Sequence, residues 1–312
     1  MKKEVLIALA CLGCACGCSS DVEIEIPTSE VSQTLSIIQF TIDLEMEVLP
    51  FTATRTIPDM DVSEPTPVTK SDDTSDDLYT IIDYVVYQED APEVVYKQKQ
   101  FTLEDDDFTI VYDSLPAGSY TICFLAHSNE DISISGQTAT FDEVSDTFHK
   151  SLTFDLVGGQ EVNQDVTLER IISKVEFVST DAVTEDLKSF TIDVSNYQNS
   201  INLVSGDGAS TDLEYTQTYT FQDSDIGEES FTHYFFTFVP ASTTLSAHLT
   251  ALDQLDEPTR ERDVSDITPI RNKIIRYTGI LYTPKTSDDT FTMEILNDGA
   301  WDETVDYDLT ED

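Results

Sequence analysis

Apolar and polar residues alternate with a period of two along much of the chain, and the first long run shows this most clearly. Within residues 40–48, Phe, Ile, Leu, Met and Val alternate with Thr, Asp and Glu. Successive side chains of a β-strand point to opposite faces, so the alternation indicates a strand with one buried face. We therefore predict that residues 35–49 form the first strand of the folded chain.

Further runs of β-branched and aromatic residues follow residues 52–77, a polar stretch without periodicity that we interpret as a long loop. The runs are residues 81–87, 94–101, 108–112, 119–127, 151–156, 165–168, 171–178, 190–194, 216–221, 234–239, 246–251, 272–282 and 291–296. Short strands at this spacing, divided by turns such as the one predicted at 115–118, favour β-sandwiches. Residues 180–189 leave the choice open between one short helix and a loop.

The chain is long enough for two domains of ordinary size, and its pattern breaks near the middle. Gly158 and Gly159 interrupt the strand pattern shortly before Leu168. We predict an N-terminal β-sandwich domain at residues 34–168 and a C-terminal β-sandwich domain at residues 169–312. The polar and acidic residues 18–33 are predicted to be a tether that precedes the first domain.

The first residues have the layout of a secretory signal peptide. Lys2 and Lys3 precede an apolar run at residues 5–12, which is far too short to span a bilayer. Small residues then lead to Cys18, and the polar chain begins directly after it, in a sequence similar to the lipobox of bacterial lipoproteins. We predict a signal peptide at residues 1–17 and acylation of Cys18, with the protein anchored by this lipid on the surface of the cell outer membrane. Three other cysteines also follow small residues and are the alternatives to Cys18: Cys11, Cys14 and Cys16.

The charge of the chain is strongly negative and limits its partners. Asp and Glu number 61 against 16 Lys and Arg, which gives a net charge of −45. Such a surface repels phosphate backbones and anionic lipid headgroups, so we expect no nucleic acid binding and no membrane contact except through the lipid anchor. Cys123 is the only cysteine outside the N-terminal cluster and lies in an apolar run, so we predict a buried structural thiol and no intramolecular disulfide.

The sequence carries no motif that is typical of a catalytic or metal-binding site. The four histidines lack the spacing, to one another or to cysteine, of a zinc site, and neither a Gly-x-Ser-x-Gly elbow nor a Gly-rich phosphate loop occurs. We expect no enzyme activity, no cofactor and no metal. The acidic run at residues 223–229 has oxygen ligands at close spacing, which leaves a calcium ion there as the alternative.

Several short segments recur together in one family of surface proteins. They are the lipobox with its acidic tether, the first strand followed by Thr54-Arg55, the strand entry at 115–122, the segment 168–176 with Arg170, the segment 269–280 with Arg271-Asn272, and Trp301-Asp302. Together these segments resemble the fimbrillin family, the type V pilins and pilin-like lipoproteins of Bacteroidetes.

The resemblance implies an all-β fold of two transthyretin-like β-sandwich domains in tandem and a structural or adhesive role in surface fimbriae. In that family, a protease cuts behind an Arg near the N-terminus, and a strand of another pilin subunit replaces the first strand. Arg55 is the first basic residue after the signal and follows the predicted first strand, so it is the candidate for proteolytic processing. The polar, acidic segment after Trp301 lacks the pattern of a donor strand, which favours a tip, anchor or accessory subunit over a stalk subunit.

A surface glycan-binding lipoprotein of a nutrient-uptake system is the alternative function. Thirteen Tyr and one Trp supply rings of the kind that stack on sugars. Most of the tyrosines fall within strand patterns, where packing in the core is the ordinary outcome. We therefore favour the fimbrial role.

Overall fold

The computed structural model describes residues 34–45, 78–285, 289–297 and 307–308. These residues form β-strands and one 3-10 helix, Asp223–Asp225, and contain no α-helix, so the predicted all-β class is confirmed. No helix in this part of the chain is long and apolar enough to cross a membrane. From Thr34 onward the chain forms one compact unit.

The strands are numbered in chain order. The first nine are β1 (Ser36–Leu44), β2 (Ile81–Gln88), β3 (Ala91–Thr102), β4 (Ile110–Leu115), β5 (Gly118–His127), β6 (Ile132–Ser135), β7 (Thr138–Phe141), β8 (Phe148–Leu156) and β9 (Glu161–Arg170). The others are β10 (Ile172–Ser179), β11 (Leu187–Ser195), β12 (Ser200–Asn202), β13 (Glu214–Thr220), β14 (Thr232–Phe238), β15 (Leu245–Asp253), β16 (Pro258–Ile267), β17 (Lys273–Gly279), β18 (Phe291–Asn297) and β19 (Tyr307–Asp308).

A seven-stranded sheet in the order β3-β2-β5-β8-β9-β1-β4 forms the N-terminal part of the fold. The sheet folds back on itself between β8 and β9, so that β3, β2, β5 and β8 form one layer and β9, β1 and β4 form the other. The pairs Phe148–Arg170 and His149–Glu169 join the two layers. Apolar side chains that point between the layers form the first core. Its most deeply buried members include Ile38, Phe40, Tyr84, Phe124 and Phe148.

Two further sheets, in the orders β14-β10-β17-β18-β19 and β13-β11-β15-β16, form the C-terminal part. The second core lies between them and includes Phe177 and Phe190. It continues onto the outer face of β2 and β5, where Val85, Cys123 and Leu125 pack against it. The layer that contains β2 and β5 is therefore buried on both faces, which explains why β2 is apolar over nearly its whole length.

The chain passes between the two parts within one residue, because β9 ends at Arg170 and β10 begins at Ile172. A small sheet in the order β12-β7-β6 joins the parts again, with Ile201 of β12 paired with Ala139 of β7. The two cores therefore belong to one compact unit, and the domain limits of 34–168 and 169–312 stay a prediction.

Five strands lie where the sequence pattern predicts none, namely β6, β7, β12, β16 and β19. β6, β7, β12 and β19 have only two to four residues, too few for a period to be recognised. Residues 180–189 contain no helix. They form a loop that leads into β11 at Leu187.

Candidate functional site

β1 is an inner strand of the N-terminal sheet. It pairs antiparallel with β4 on one side and parallel with β9 on the other, and Phe40 stands opposite Val111 and Gln164. The predicted first strand is thus confirmed over Ser36–Leu44, while the predicted residues 46–49 lie outside the described part of the chain.

The side chains of β1 alternate between core and solvent as the sequence pattern predicts. Ile38, Phe40 and Ile42 are buried in the first core, whereas Ile37 is 58% exposed on the opposite face. The strand is therefore held in two ways, by main-chain hydrogen bonds along both edges and by alternate side chains seated in the core.

Phe40 lies at the centre of an aromatic cluster. Its ring centroid is 5.1 Å from that of Phe124, 5.6 Å from that of Phe154 and 6.3 Å from that of Tyr84. These three rings come from β5, β8 and β2, which form the opposite layer. Removal of β1 would therefore expose the aromatic side chains of three other strands to water.

The buried carboxylate of Asp113 links β4 to β3, the two end strands of the seven-stranded sheet. Asp113 of β4 forms ion pairs with Lys97 and Lys99 of β3, and the Nζ–Oδ1 distance to Lys99 is 2.9 Å. The hydroxyl of Tyr84 donates a hydrogen bond of 3.0 Å to Asp113 Oδ2. Lys99 also donates to the backbone carbonyl of Tyr112. We call this group the Asp113 clamp.

The electrostatics of the Asp113 clamp keep its carboxylate ionised. Burial by itself raises the pKa of Asp113, but the hydrogen bonds from Lys97, Lys99 and the Ser114 backbone, together with the charge of Lys99, outweigh it and hold the pKa below its ordinary value. Burial and the neighbouring carboxylate both raise the pKa of Tyr84, so its phenol stays protonated and able to donate. The charges of the clamp are thus complementary at neutral pH.

Two of the segments that carry the family resemblance meet in the structure. Arg170 is buried and donates through Nε and Nη2 to the two carboxylate oxygens of Asp146, at 2.7 and 2.8 Å. Its Nη1 donates at 3.0 Å to Oδ1 of Asn272, whose backbone N–H donates at 2.8 Å to the carbonyl of Ile172. These motif residues therefore hold the junction between the two parts of the fold.

Three of the four histidines are buried. His127 Nε2 lies 2.9 Å from Asp83 Oδ2, and its Nδ1 accepts the backbone N–H of Asn129. Burial lowers the pKa of His149 to about 4 and that of His233 to about 3, so both rings are neutral at physiological pH. The fourth, His248, is partly exposed, and its hydrogen bond to Asp263 raises its pKa.

The predicted buried thiol of Cys123 is confirmed. The residue is free and fully buried, and burial raises the pKa of its thiol to about 12. A thiol with this pKa is protonated at neutral pH and a poor nucleophile.

Two of the predicted sites, the acylated Cys18 and the processing site Arg55, lie outside the described residues and stay predictions. Within the described ranges, no group of three or more His, Cys, Asp or Glu is placed to hold a metal ion. In the acidic run at 223–229, the Asp225 carboxylate accepts hydrogen bonds from the Tyr219 hydroxyl at 2.9 Å and the Gln222 backbone N–H at 2.8 Å.

An aromatic groove that the sequence analysis missed lies between β13 and β14, which each end the order of their sheet in the described structure. It consists of two adjacent recesses of about 210 and 260 Å³ that share Gln217 and Tyr234 in their linings. Tyr215 stacks on Tyr197 in the first recess, with ring centroids 4.3 Å apart. Tyr219 lines the second. We call this feature the β13–β14 groove.

The chain belongs to a family of unknown function, DUF6562, whose model matches residues 32–310. No curated protein matches the chain.

Several solved structures are similar to this chain. A structure of candidate polysaccharide-binding proteins (DUF1812) from Bacteroides thetaiotaomicron has 9% sequence identity and a TM-score of 0.51, and the match covers 89% of this chain and 99% of that one. A candidate adhesin from Bacteroides ovatus has 13% identity and a TM-score of 0.49, over 81% and 88% of the two chains. The fimbrial anchor protein Mfa2 from Porphyromonas gingivalis has 11% identity and a TM-score of 0.49, over 86% and 98%. At 9% identity and a TM-score of 0.51, the first of these structures shows a shared fold.

Proposed function

We propose that the protein is a structural or adhesive subunit of surface fimbriae, of the tip, anchor or accessory kind, and that it assembles by strand complementation. The proposal rests on the position of β1 within the N-terminal sheet. An inner strand with Ile38, Phe40 and Ile42 in the core is the first strand of the compact unit, so it is connected to the rest at one end only. A strand with this connection is separable by a single cut.

That connection runs through residues 46–77, and Arg55 lies within it. Cleavage after Arg55 leaves β1 in place through non-covalent contacts alone, namely its hydrogen bonds to β4 and β9 and its packed side chains. A strand held in this way can be exchanged for another strand of the same alternating pattern. Partners of this kind are other pilin subunits that offer such a strand.

Loss of β1 without replacement is unfavourable. It exposes the aromatic rings around Phe40 and leaves backbone N–H and C=O groups of β4 and β9 unpaired along the length of the groove. An empty groove is therefore stable only when a donor strand fills it. Cleavage and assembly are coupled for this reason.

The Asp113 clamp supports the exchange by holding the groove open for a new strand. Without β1, β4 loses its partner in the sheet, but Lys97 and Lys99 still tie Asp113 to β3. One wall of the groove therefore keeps its position while the strand is replaced, and less conformational entropy is lost when the donor strand enters.

Lipid attachment through Cys18 holds the uncleaved subunit on the outer membrane surface in our proposal, and cleavage after Arg55 with loss of β1 frees the rest of the chain from this lipid. The polar tether at residues 18–33 separates the acylated residue from the compact unit that begins at Thr34. The strong negative charge leaves the lipid as the route of membrane attachment.

Treatment with an Arg-specific protease tests the proposal. Residues 19–312 are purified as wild type and as Arg55→Ala, digested, and sized by chromatography with light scattering. A synthetic peptide of residues 34–45 is present in the digest as the donor strand, and its elution with the wild type but not with Arg55→Ala supports cleavage-coupled strand exchange. A cleaved wild type that has lost β1 yet stays monomeric and folded contradicts it.

A further inference from the structure

The turn at residues 157–160, which links β8 to β9, contacts the start of β1. Ser36 is fully buried there, and its hydroxyl donates a hydrogen bond of 2.8 Å to the carbonyl of Val157. The backbone N–H of Gln160 donates to the same hydroxyl at 3.4 Å, and the carbonyl of Gln160 accepts the N–H of Ile37 at 2.9 Å. The turn therefore holds β1 through one side chain as well as through the backbone.

Gly158 and Gly159, which interrupt the strand pattern in the sequence, allow the turn to approach β1 closely. A methyl group at Gly158 would lie 3.0 Å from the backbone carbonyl oxygen of Thr34, and one at Gly159 would lie 3.1 Å from its Cγ2 atom. Gly159 also has a φ of +80°, in the left-handed region that other residues rarely adopt. The turn is braced from within, because the N–H of Val157 donates to the side-chain oxygen of Gln160 at 3.4 Å.

Alternation alone does not fix the register of a strand in the position of β1. A shift by one residue would turn Ile38 and Phe40 to solvent, but a shift by two residues keeps the order of buried and exposed positions. One such shift would place Ile38 at the turn, where its side chain is too large and can make neither hydrogen bond. The opposite shift would place the hydroxyl of Ser36 in the core position of Ile38, without a partner. Ser36 therefore selects one register.

We propose that the 157–160 turn is a subsite that recognises a serine hydroxyl and sets the register of the strand between β4 and β9. The inference rests on the proposed strand exchange and defines its partner more closely. A donor strand that replaces β1 carries a serine where it meets the turn. Apolar residues stand at the second, fourth and sixth positions after that serine, as Ile38, Phe40 and Ile42 do in β1, and the fourth is aromatic. A strand with the same alternation but an apolar residue at the turn binds more weakly.

Competition between peptides for the Arg-cleaved protein tests the subsite. A labelled peptide of residues 34–45 is displaced by unlabelled peptides that carry Ser36→Ala, Ser36→Ile or Thr41→Val. Thr41 lies on the face of β1 that points away from the core, so Thr41→Val removes a hydroxyl that the turn does not contact and is the matched control. We expect both Ser36 variants to compete at least about tenfold less well than the wild-type peptide, because each loses the two hydrogen bonds to the turn. Thr41→Val should compete as well as the wild type.

Urea unfolding of uncleaved residues 19–312 gives a second measurement, which does not depend on strand exchange. Ser36→Ala should lower the ratio of folded to unfolded protein by about tenfold, and Thr41→Val should change it by less than about twofold. The inference is overturned if the Ser36→Ala peptide competes as well as the wild type, or if Ser36→Ala leaves the folded-to-unfolded ratio unchanged. If no peptide enters the cleaved protein, the wild-type peptide included, strand exchange itself fails, and the unfolding measurement alone decides whether the turn recognises Ser36.

Discussion

The rings of Phe40 and Phe124 meet edge-on, with their centroids 5.1 Å apart. Phe40 belongs to the first strand of the compact unit and Phe124 to β5 in the opposite layer of the sheet. The contact shows that the start of the folded chain completes the first core. The same strand is therefore essential to the core and attached at one end only, which is the combination that strand exchange requires.

Truncation of Phe40 should destabilise the protein strongly. Phe40→Ala removes a fully buried ring from the aromatic cluster, and we expect a loss of about 3–5 kcal/mol in the free energy of unfolding. Gln39→Ala, at the neighbouring position that faces away from the core, is the control and should change it by less than about 0.5 kcal/mol. Urea unfolding measures both. A loss below about 1 kcal/mol for Phe40→Ala would mean that Phe40 of β1 is not packed in a core.

The Asp113 clamp predicts a loss of stability in acid. The pKa of Asp113 is lowered in the folded protein, so the folded state holds this proton less tightly than the unfolded state does. The stabilisation is complete above the unfolded pKa of about 3.9 and is lost as the pH falls from there through the lower folded pKa. Asp113→Asn should reduce stability at pH 7 by about 1–3 kcal/mol, and its difference from the wild type should shrink below about pH 4.

Unfolding measured by urea at several pH values checks this prediction. Asp165→Asn, on the exposed face of β9, is the matched control and should follow the wild type throughout. A difference between Asp113→Asn and the wild type that stays constant down to about pH 2 would show that the Asp113 carboxylate is not held by the lysines.

His149 predicts a second and separate pH dependence. Its ring is buried, Nε2 lies 2.6 Å from the carbonyl of Leu203, and burial lowers its pKa to about 4. Between about pH 6.5 and 4 the unfolded state takes up a proton that the folded state does not, so stability falls as the pH drops through this window. In His149→Gln, about 3 kcal/mol of this acid-dependent loss should disappear.

His248 supplies the control, because its pKa is raised by Asp263. His248→Gln should keep the loss between about pH 6.5 and 4 that the wild type shows. If His149→Gln and the wild type had parallel stability profiles in this window, His149 would be titrating as an ordinary exposed histidine.

The strand β1 could be predicted from the sequence because the pattern that indicates it lies within the strand itself. Phe40 and its neighbours alternate with polar residues, and that alternation holds whatever the strand pairs with. The burial of Cys123 follows from the same kind of local pattern. Neither the parallel pairing of β1 with β9 nor its place between β9 and β4 could be predicted, since the partner residues in β9 lie more than a hundred positions away and those in β4 lie 69 to 79 positions away.

Buried charges explain part of what could not be predicted from the sequence pattern. β16 reads as polar, yet Arg260 and Arg262 on its inner face are buried and both bind the carboxylate of Asp289. The Asp113 clamp could not be predicted either, because an aspartate in a sequence is expected to be exposed unless its lysine partners are known. Tyr219 lies within a predicted strand, and its partial exposure follows from the place of β13 at the end of a sheet.

The register between β1 and β4 allows the design of a reversible disulfide that would hold β1 in place. Gln39 of β1 stands opposite Tyr112 of β4 on the outer face. The backbone N–H of Ile42 donates to the carbonyl of Thr109, so the alternate pair Gln39–Tyr112 is a non-hydrogen-bonded pair. Its Cα atoms are expected about 4.5 Å apart, within the range of a disulfide. Gln39→Cys combined with Tyr112→Cys should therefore join β1 covalently to β4 when oxidised, and Cys123 is too deeply buried to interfere.

Uptake of a labelled peptide of residues 34–45 by the Arg-cleaved protein tests strand exchange most directly, because it requires no knowledge of the natural partner. We predict that the cleaved wild type takes up the peptide and releases its own β1, that uncleaved Arg55→Ala takes up none, and that the cleaved double-cysteine variant takes it up only after reduction. A cleaved, folded wild type that takes up no peptide, or an oxidised lock that takes it up as readily as the reduced form, would contradict the account.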